Sequence, residues 1–307
     1  MSLLSLIAVF LIEQLQPLHY RRIVAEPLSA WADFIESRLN AGEYRHGVIA
    51  WCVAALLPVL LLAGLYAFLY SLNPLLGWAL NVGALYLTMG FRQFSHHYTE
   101  IQLALRLGDL PRARALLSEW QGRSAEGLGS QDIARLSIEQ ALAASHRHVF
   151  AVLLWFVLLP GPCGAVLYRI SAVVYERWRT RDAAEQNNFS AFSRHIFGMI
   201  DWLPLRVTAS AFAIVGDFED AVYCWRTQAD QWPDRDLGIV LASGAGALGV
   251  QLGMPLVDGV EVTDRAALGL GDPADVDFMQ SAVGLVWRAT VLWMVLLFLL
   301  GLASLVG

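Results

Sequence analysis

Eight residues in the middle of the chain carry the side chains best suited to hold an anion: Arg123, Glu139, Arg147, His148, Tyr168, Arg169, Asp201 and Arg206. Guanidinium groups grip phosphate or carboxylate through two parallel N–H bonds. Arg123, Arg147, Arg169 and Arg206 would form such a ring, with Glu139 and Asp201 orienting it. The plainer reading makes the same arginines headgroup anchors and salt-bridge partners. If the chain is an enzyme, Glu139 and Asp201 are its candidate catalytic carboxylates. Neither a Ser-His-Asp set nor a P-loop is present. His96-His97 and the His146/His148 pair do not point one way, because adjacent and i,i+2 residues do not share a helix face. No metal site is expected from them. Cys52, Cys163 and Cys224 stand far apart and give neither a disulfide framework nor zinc-ligand spacing.

The elements that would position these groups are apolar. The chain of 307 residues is 57% hydrophobic and 16% charged, whereas soluble domains sit near a quarter charged. The mean hydropathy of +0.51 agrees. This predicts an all-α polytopic membrane protein in the lipid bilayer. The net charge of −6 argues against nucleic acid as a partner, and all 21 basic residues are arginine. Met1–Ile12 lacks a basic leader, so it reads as a retained element and not a cleaved signal peptide.

Three or four spans are predicted, at 48–72, 75–91 and 286–306 and at about 3–16, which either crosses or lies half inserted, with a broken segment at 149–175. Tyr66 and Tyr70 suit an interface, and Asn73-Pro74 makes an uncharged turn between the second and third spans. Pro160-Gly161-Pro162 interrupts the segment 149–175, since proline removes a helix donor and clashes with the preceding turn. Two short helices meeting in or at the membrane are expected there. A re-entrant dip would keep Arg177, Arg179 and Arg181 on the arginine-rich side, while a full crossing would not. With re-entry every arginine is cytoplasmic, as the positive-inside rule prefers. The helical parts 18–46, 93–148 and 177–284 then face the cytoplasm. Within them, Pro27–Asn40 reads as an amphipathic helix. Phe189–Val215, with Arg194, His195, Asp201 and Arg206 inside it, reads as helix packed on the core and not as a lipid-exposed span.

Two local patterns stand out. Gly108-Asp109 and Gly216-Asp217 each suit a helix stop followed by an N-cap. They fit two similar turns better than a duplicated half. Gly244-Ala245-Gly246-Ala247-Leu248-Gly249 spells GxGxxG, but no βαβ pattern surrounds it. Small residues permitting close backbone approach are the better account.

Several blocks resemble the CbiB/CobD family: GDLPRARALLSEWQGR (Gly108–Arg123), Glu139, GPCGAVLYR (Gly161–Arg169), DWLPLR (Asp201–Arg206) and AGALGVQLGMPLVDG (Ala245–Gly259). The resemblance implies a multi-pass inner-membrane protein. It also implies an adenosylcobinamide-phosphate synthase, which uses ATP and magnesium to join adenosylcobyric acid to aminopropanol or its phosphate through an amide bond. Several of the family's acidic and amide positions are replaced. Its GRD is Gly122-Arg123-Ser124 here, and its EN…D cluster falls on Ala143, Ala144 and Arg147. The NTLD after the tyrosine-arginine pair falls on Ala172-Val173-Val174-Tyr175, and the DD…N…PxR block keeps Pro204 and Arg206, with Phe197, Gly198 and Asp201 in the other places. Magnesium and nucleotide phosphates call for hard carboxylate oxygens. These departures make the chain similar to the family's AmpE branch, which is linked to envelope sensing, although AGALGVQLG belongs to the synthase side.

The sequence thus supports two readings. The first is a non-catalytic or altered AmpE-like inner-membrane protein, its main soluble part cytoplasmic. It would hold an anionic small molecule, corrinoid or phosphate-bearing, or a partner on the arginine ring, with no cofactor of its own. The alternative is the synthase, with ATP and magnesium. A homo-oligomer is compatible with either.

Overall fold

The computed structural model describes residues 2–15, 21–185, 188–258 and 261–306. The ends of the predicted parts 3–16 and 18–46 lie in part outside the described residues, as does Gly259 of the AGALGVQLGMPLVDG block. Twelve helices carry the described fold: α1 Ser2–Leu15, α2 Glu26–Leu39, α3 Tyr44–Leu72, α4 Pro74–Thr88, α5 Phe91–Arg106, α6 Leu110–Gln121, α7 Ser130–Leu158, α8 Cys163–Glu185, α9 Ala191–Val215, α10 Phe218–Gln228, α11 Arg235–Leu248 and α12 Val276–Val306. By length and composition α3, α7, α9 and α12 could each cross a membrane, and α1 and α4 are shorter apolar helices. The protein is thus an all-α, multi-pass membrane protein. The chain divides into two compact units, 1–93 with 148–203, and 94–147 with 204–307.

In the first unit, α3 and α4 form a hairpin. Asn73 caps α4 by accepting the Leu75 N–H at 2.8 Å, and Pro74 comes next at the first helical position. Gly77 lets the two helices close up, because a Cβ there would lie 2.9 Å from the Tyr70 ring. Leu57, Leu60, Leu61, Leu65 and Phe68 of α3 are exposed. Such a stripe would be an aggregation hazard in water and suits lipid. The helix at 75–91 ends at Thr88, three residues before the predicted end.

The segment predicted at 149–175 is a helix break, but its helices are long. It joins the end of a 29-residue helix, α7, to the start of a 23-residue one, α8. Gly161 takes φ +67° in the turn. Gly164 then packs so tightly that a Cβ would lie 1.9 Å from the Trp155 carbonyl oxygen. Ser130–Leu158 is helical throughout, with a π-turn at His146–Phe150. α8 buries Tyr168, Ser171, Val174 and Trp178 on one face and Arg169 to the side of it. The Trp178 indole donates to the Ala32 carbonyl of α2, and Arg177 pairs with Asp33 beside it. The hydrogen bond to Asp33 holds the Arg177 guanidinium above its ordinary pKa. Within the predicted Phe189–Val215, α9 is by length and composition long and apolar enough to cross a membrane, with half of its apolar window buried.

The second unit joins α5 to α12 through buried polar contacts. The Tyr98 hydroxyl donates to the Met279 carbonyl at 2.8 Å and Gln102 donates to Gln280 at 3.2 Å. Burial pushes the Tyr98 phenol well up from its usual pKa. Asp109 and Asp217 are N-caps, each accepting a backbone N–H three residues on at 3.1 Å. The Gly-Asp echo is therefore two similar turns. Gly108 bends with φ +72°, while Gly216 serves close approach, its Cβ position lying 2.6 Å from Ala247. The part predicted as helical at 177–284 also holds short strands. β1 Val250–Gly253 pairs antiparallel with β4 Ala267–Leu268 and parallel with β5 Asp272–Pro273, and β2 Leu256–Asp258 pairs with β3 Glu261–Thr263.

Candidate functional site

The GxGxxG residues do not form a nucleotide loop. Gly244 and Gly246 lie inside α11, and Gly249 is its left-handed C-cap at φ +64°. A Cβ on Gly244 would lie 2.7 Å from Leu142, and one on Gly246 would lie 2.4 Å from the Asp220 carbonyl oxygen. Small residues here permit helices to touch, as expected.

Beyond this cap the backbone is more unusual. β1 runs to Gly253 at φ +72°, and Met254 also takes a positive φ of 68°. A left-handed residue other than glycine costs about 1–2 kcal/mol, so the surrounding contacts must hold it. They centre on Glu139. Its Oε1 accepts the Gly253 N–H at 2.8 Å, and its Oε2 accepts from Arg265. The Arg265 guanidinium lies 4.7 Å from the centroid of the Trp232 ring. Glu139 is 8% exposed. A buried carboxylate, a guanidinium and an indole thus gather at the end of β1, where Glu139 holds the Gly253 N–H. Arg265, Trp232 and Gly253 are not among the residues that the sequence alone points to. They come from three separate stretches with no shared period, and the signal within reach is the glycine block itself.

The predicted ring residues occupy different settings. Arg123 is exposed in the turn after Gly122. Arg147 is half-buried in the π-turn of α7, and Arg206 is half-buried in α9 just after Pro204. Glu139 pairs with Arg265, which is not one of the four predicted arginines. In the first unit two pairs do form. The buried Tyr168 hydroxyl donates to Asp201 Oδ1 at 2.9 Å, and Arg169 Nη2 meets His148 Nδ1 at 3.0 Å. His146 is buried and its Nδ1 lies 2.9 Å from the Thr208 hydroxyl.

Magnesium, which the family resemblance implies, is commonly held by one or two carboxylates together with substrate phosphates and water. Among the described residues no three His, Cys, Asp or Glu side chains are grouped to hold a metal ion. Both oxygens of Glu139 are engaged, by Gly253 and Arg265, and Asp201 Oδ1 accepts a hydrogen bond from the Tyr168 hydroxyl. Cys224 is no nucleophile either: burial, with Asp220 nearby, pushes its thiol up to about 11, and the thiolate is the reactive form.

The chain matches the CobD/Cbib protein family model over residues 5–286. It is 36% identical over 280 residues to the cobalamin biosynthesis protein CobD of Stutzerimonas stutzeri, covering 89% of this chain and 90% of that one. It is 35% identical over 220 residues to a protein of the same name from Chromobacterium violaceum, covering 72% of this chain and 70% of the relative. To the cobalamin biosynthesis protein CbiB of Salmonella typhimurium it is 26% identical over 247 residues, covering 76% and 75%. No solved structure matches it significantly. These relatives overturn two expectations, that of an AmpE-like sensor and that of a chain leaning away from catalysis. Both rested on a few acidic positions, whereas the likeness to cobalamin biosynthesis proteins extends over nearly the whole chain. The chain belongs to the CobD/CbiB family.

Proposed function

We propose that this protein is an amide-forming enzyme of cobalamin biosynthesis, of the adenosylcobinamide-phosphate synthase type, in the bacterial inner membrane with its main soluble part cytoplasmic. The observation that carries the reading is the 36% identity to a CobD protein over nine-tenths of both chains. A corrinoid carboxylate is an unreactive anion at neutral pH, so joining it to the amine of aminopropanol or its phosphate requires activation. ATP supplies this by converting the carboxylate oxygen into a leaving group. Magnesium would enter with the nucleotide, whose phosphates it neutralises.

The chain's own residues would bind and orient. The Glu139–Arg265–Trp232 cluster would fix the end of β1 at Gly253. Arg123, Arg147 and Arg206 supply permanent positive charge for phosphate or carboxylate groups. Tyr168 and Asp201 hold each other in place beside Phe197.

The test is a mass-spectrometric assay of the purified protein with adenosylcobyric acid, aminopropanol phosphate, ATP and magnesium, beside a known synthase. Product of the expected amide mass is the predicted result. No product beside an active control would overturn the proposal.

A further inference from the structure

We propose that Arg265, held by Glu139 and Trp232, binds the phosphate group of a substrate, either ATP or aminopropanol phosphate. These ligands are those of the synthase reading, on which the assignment rests.

All the residues concerned lie in the second unit. A guanidinium is a planar fork of N–H donors. One end of the Arg265 fork, Nη2, donates to Glu139 Oε2, and the plane lies 4.7 Å from the Trp232 ring centroid. Glu139 cannot swing away freely, because its Oε1 accepts the Gly253 N–H at 2.8 Å. Nε and Nη1 at the other end have no partner among the described residues, and neither is sealed from solvent. The Arg265 side chain keeps 11% of its surface exposed. The carboxylate and the indole therefore fix the fork and leave half of its donors for a ligand.

Two further features mark the same place. Arg135 stands one turn before Glu139 on the same face of α7, and its charge also acts on the Glu139 carboxylate. Its Nη2 donates to Asp132 at 2.7 Å, but its Nε is buried with no partner among the described residues. Buried donors are seldom left so. Among the described residues, Met254 is the one non-glycine with a positive φ, although its side chain is 37% exposed. Its N–H donates to the carbonyl of Ala266, the residue after Arg265, at 3.3 Å. Backbone strain of this kind gathers at ligand sites.

The donors select the ligand. Parallel N–H groups match phosphate and carboxylate oxygens alike. A terminal phosphate offers three acceptor oxygens, enough for the free end of Arg265 and one donor beyond it, such as Arg135 Nε. A corrinoid carboxylate offers only two. Glu139 offsets part of the attraction, so the gain in affinity is moderate.

Isothermal titration calorimetry of the full-length protein in detergent tests this without turnover. It compares ATP with adenosine, and aminopropanol phosphate with aminopropanol. Arg265→Lys keeps a cation beside Glu139 but has no fork. It should weaken at least one phosphate ligand about tenfold, the size of one charge-assisted bond, and leave the phosphate-free ligands as they were. The ligand that weakens identifies the source of the phosphate. Trp232→Leu should weaken the same ligand about threefold. Unchanged affinity of Arg265→Lys for both phosphate ligands would overturn the proposal, as would a loss confined to adenosylcobyric acid. So would phosphate ligands that bind the unaltered protein no better than their phosphate-free counterparts, a comparison that stands if either variant fails to fold. Phosphate binding through Arg265 without amide product would uphold this assignment and fail the synthase reading.

Discussion

The Trp155 indole N–H donates to the Ile200 carbonyl at 3.1 Å, and Ile200 is the residue whose helical partner would be the N–H of Pro204. Proline has none, so the Ile200 carbonyl is left without its helical donor, and the indole satisfies it. The same device recurs in α3. Pro58 offers no N–H to the Ala54 carbonyl, and Trp31 donates to it at 3.1 Å. In a low-dielectric interior such carbonyls need a partner, and a tryptophan can supply the donor together with a large apolar surface.

Trp155→Phe should therefore destabilise the protein by about 1–3 kcal/mol, the cost of a buried unsatisfied acceptor. Adding Pro204→Ala returns a backbone donor to the same carbonyl. The two changes should be less than additive in a double-mutant cycle read by denaturation in detergent. Strict additivity would mean that the indole and the proline are unrelated.

Glu139→Ala should cost about 3–5 kcal/mol, because it leaves Arg265 buried without its carboxylate. Glu139→Leu combined with Arg265→Met should cost less than the two single changes summed. Thermal unfolding of the four proteins measures this, and proteolysis at Gly249–Met254 should rise in the single variants. Loss of synthase product without any change in unfolding would instead give Glu139 a direct catalytic role.

Gly246→Ala should destabilise by about 1–3 kcal/mol through overpacking, since its Cβ would lie 2.4 Å from the Asp220 carbonyl oxygen. Gly83→Ala is the contrast. Its Cβ is unobstructed, and glycine-to-alanine in a helix should be neutral or stabilise by up to about 1 kcal/mol. Circular dichroism melts of both variants would separate packing glycines from spare ones.

Cys224 should resist alkylation in the folded protein at pH 8, because its thiol, pushed up to about 11, stays protonated there. Since the shift is upward, reactivity should emerge only as the pH rises toward that value. Timed maleimide labelling with peptide mapping checks this, and rapid native labelling at pH 8 would refute it.

The apolar helices around 48–72 and 286–306, the Asn73-Pro74 turn, the caps at Asp109 and Asp217, and the break at Pro160-Gly161-Pro162 are legible in the sequence. Each depends on neighbours within a few residues. Hydrophobic runs measure themselves against a bilayer, and caps and prolines act on their own turn of helix. The packing role of the GxGxxG glycines is legible too, because no βαβ pattern stands around them. The site is less so. Glu139 stands out in the sequence, but its expected partners are Arg123, Arg147, Arg169 and Arg206, and the fold supplies Arg265, 126 residues along the chain. Four arginines of one charge look equivalent in a sequence. Only tertiary structure separates an exposed Arg123 from a buried Arg169, or turns a methionine left-handed at Met254. The reason is physical: hydropathy and capping are local energies written residue by residue. Burial of a charge and pairing across a hundred residues are properties of the packed chain alone.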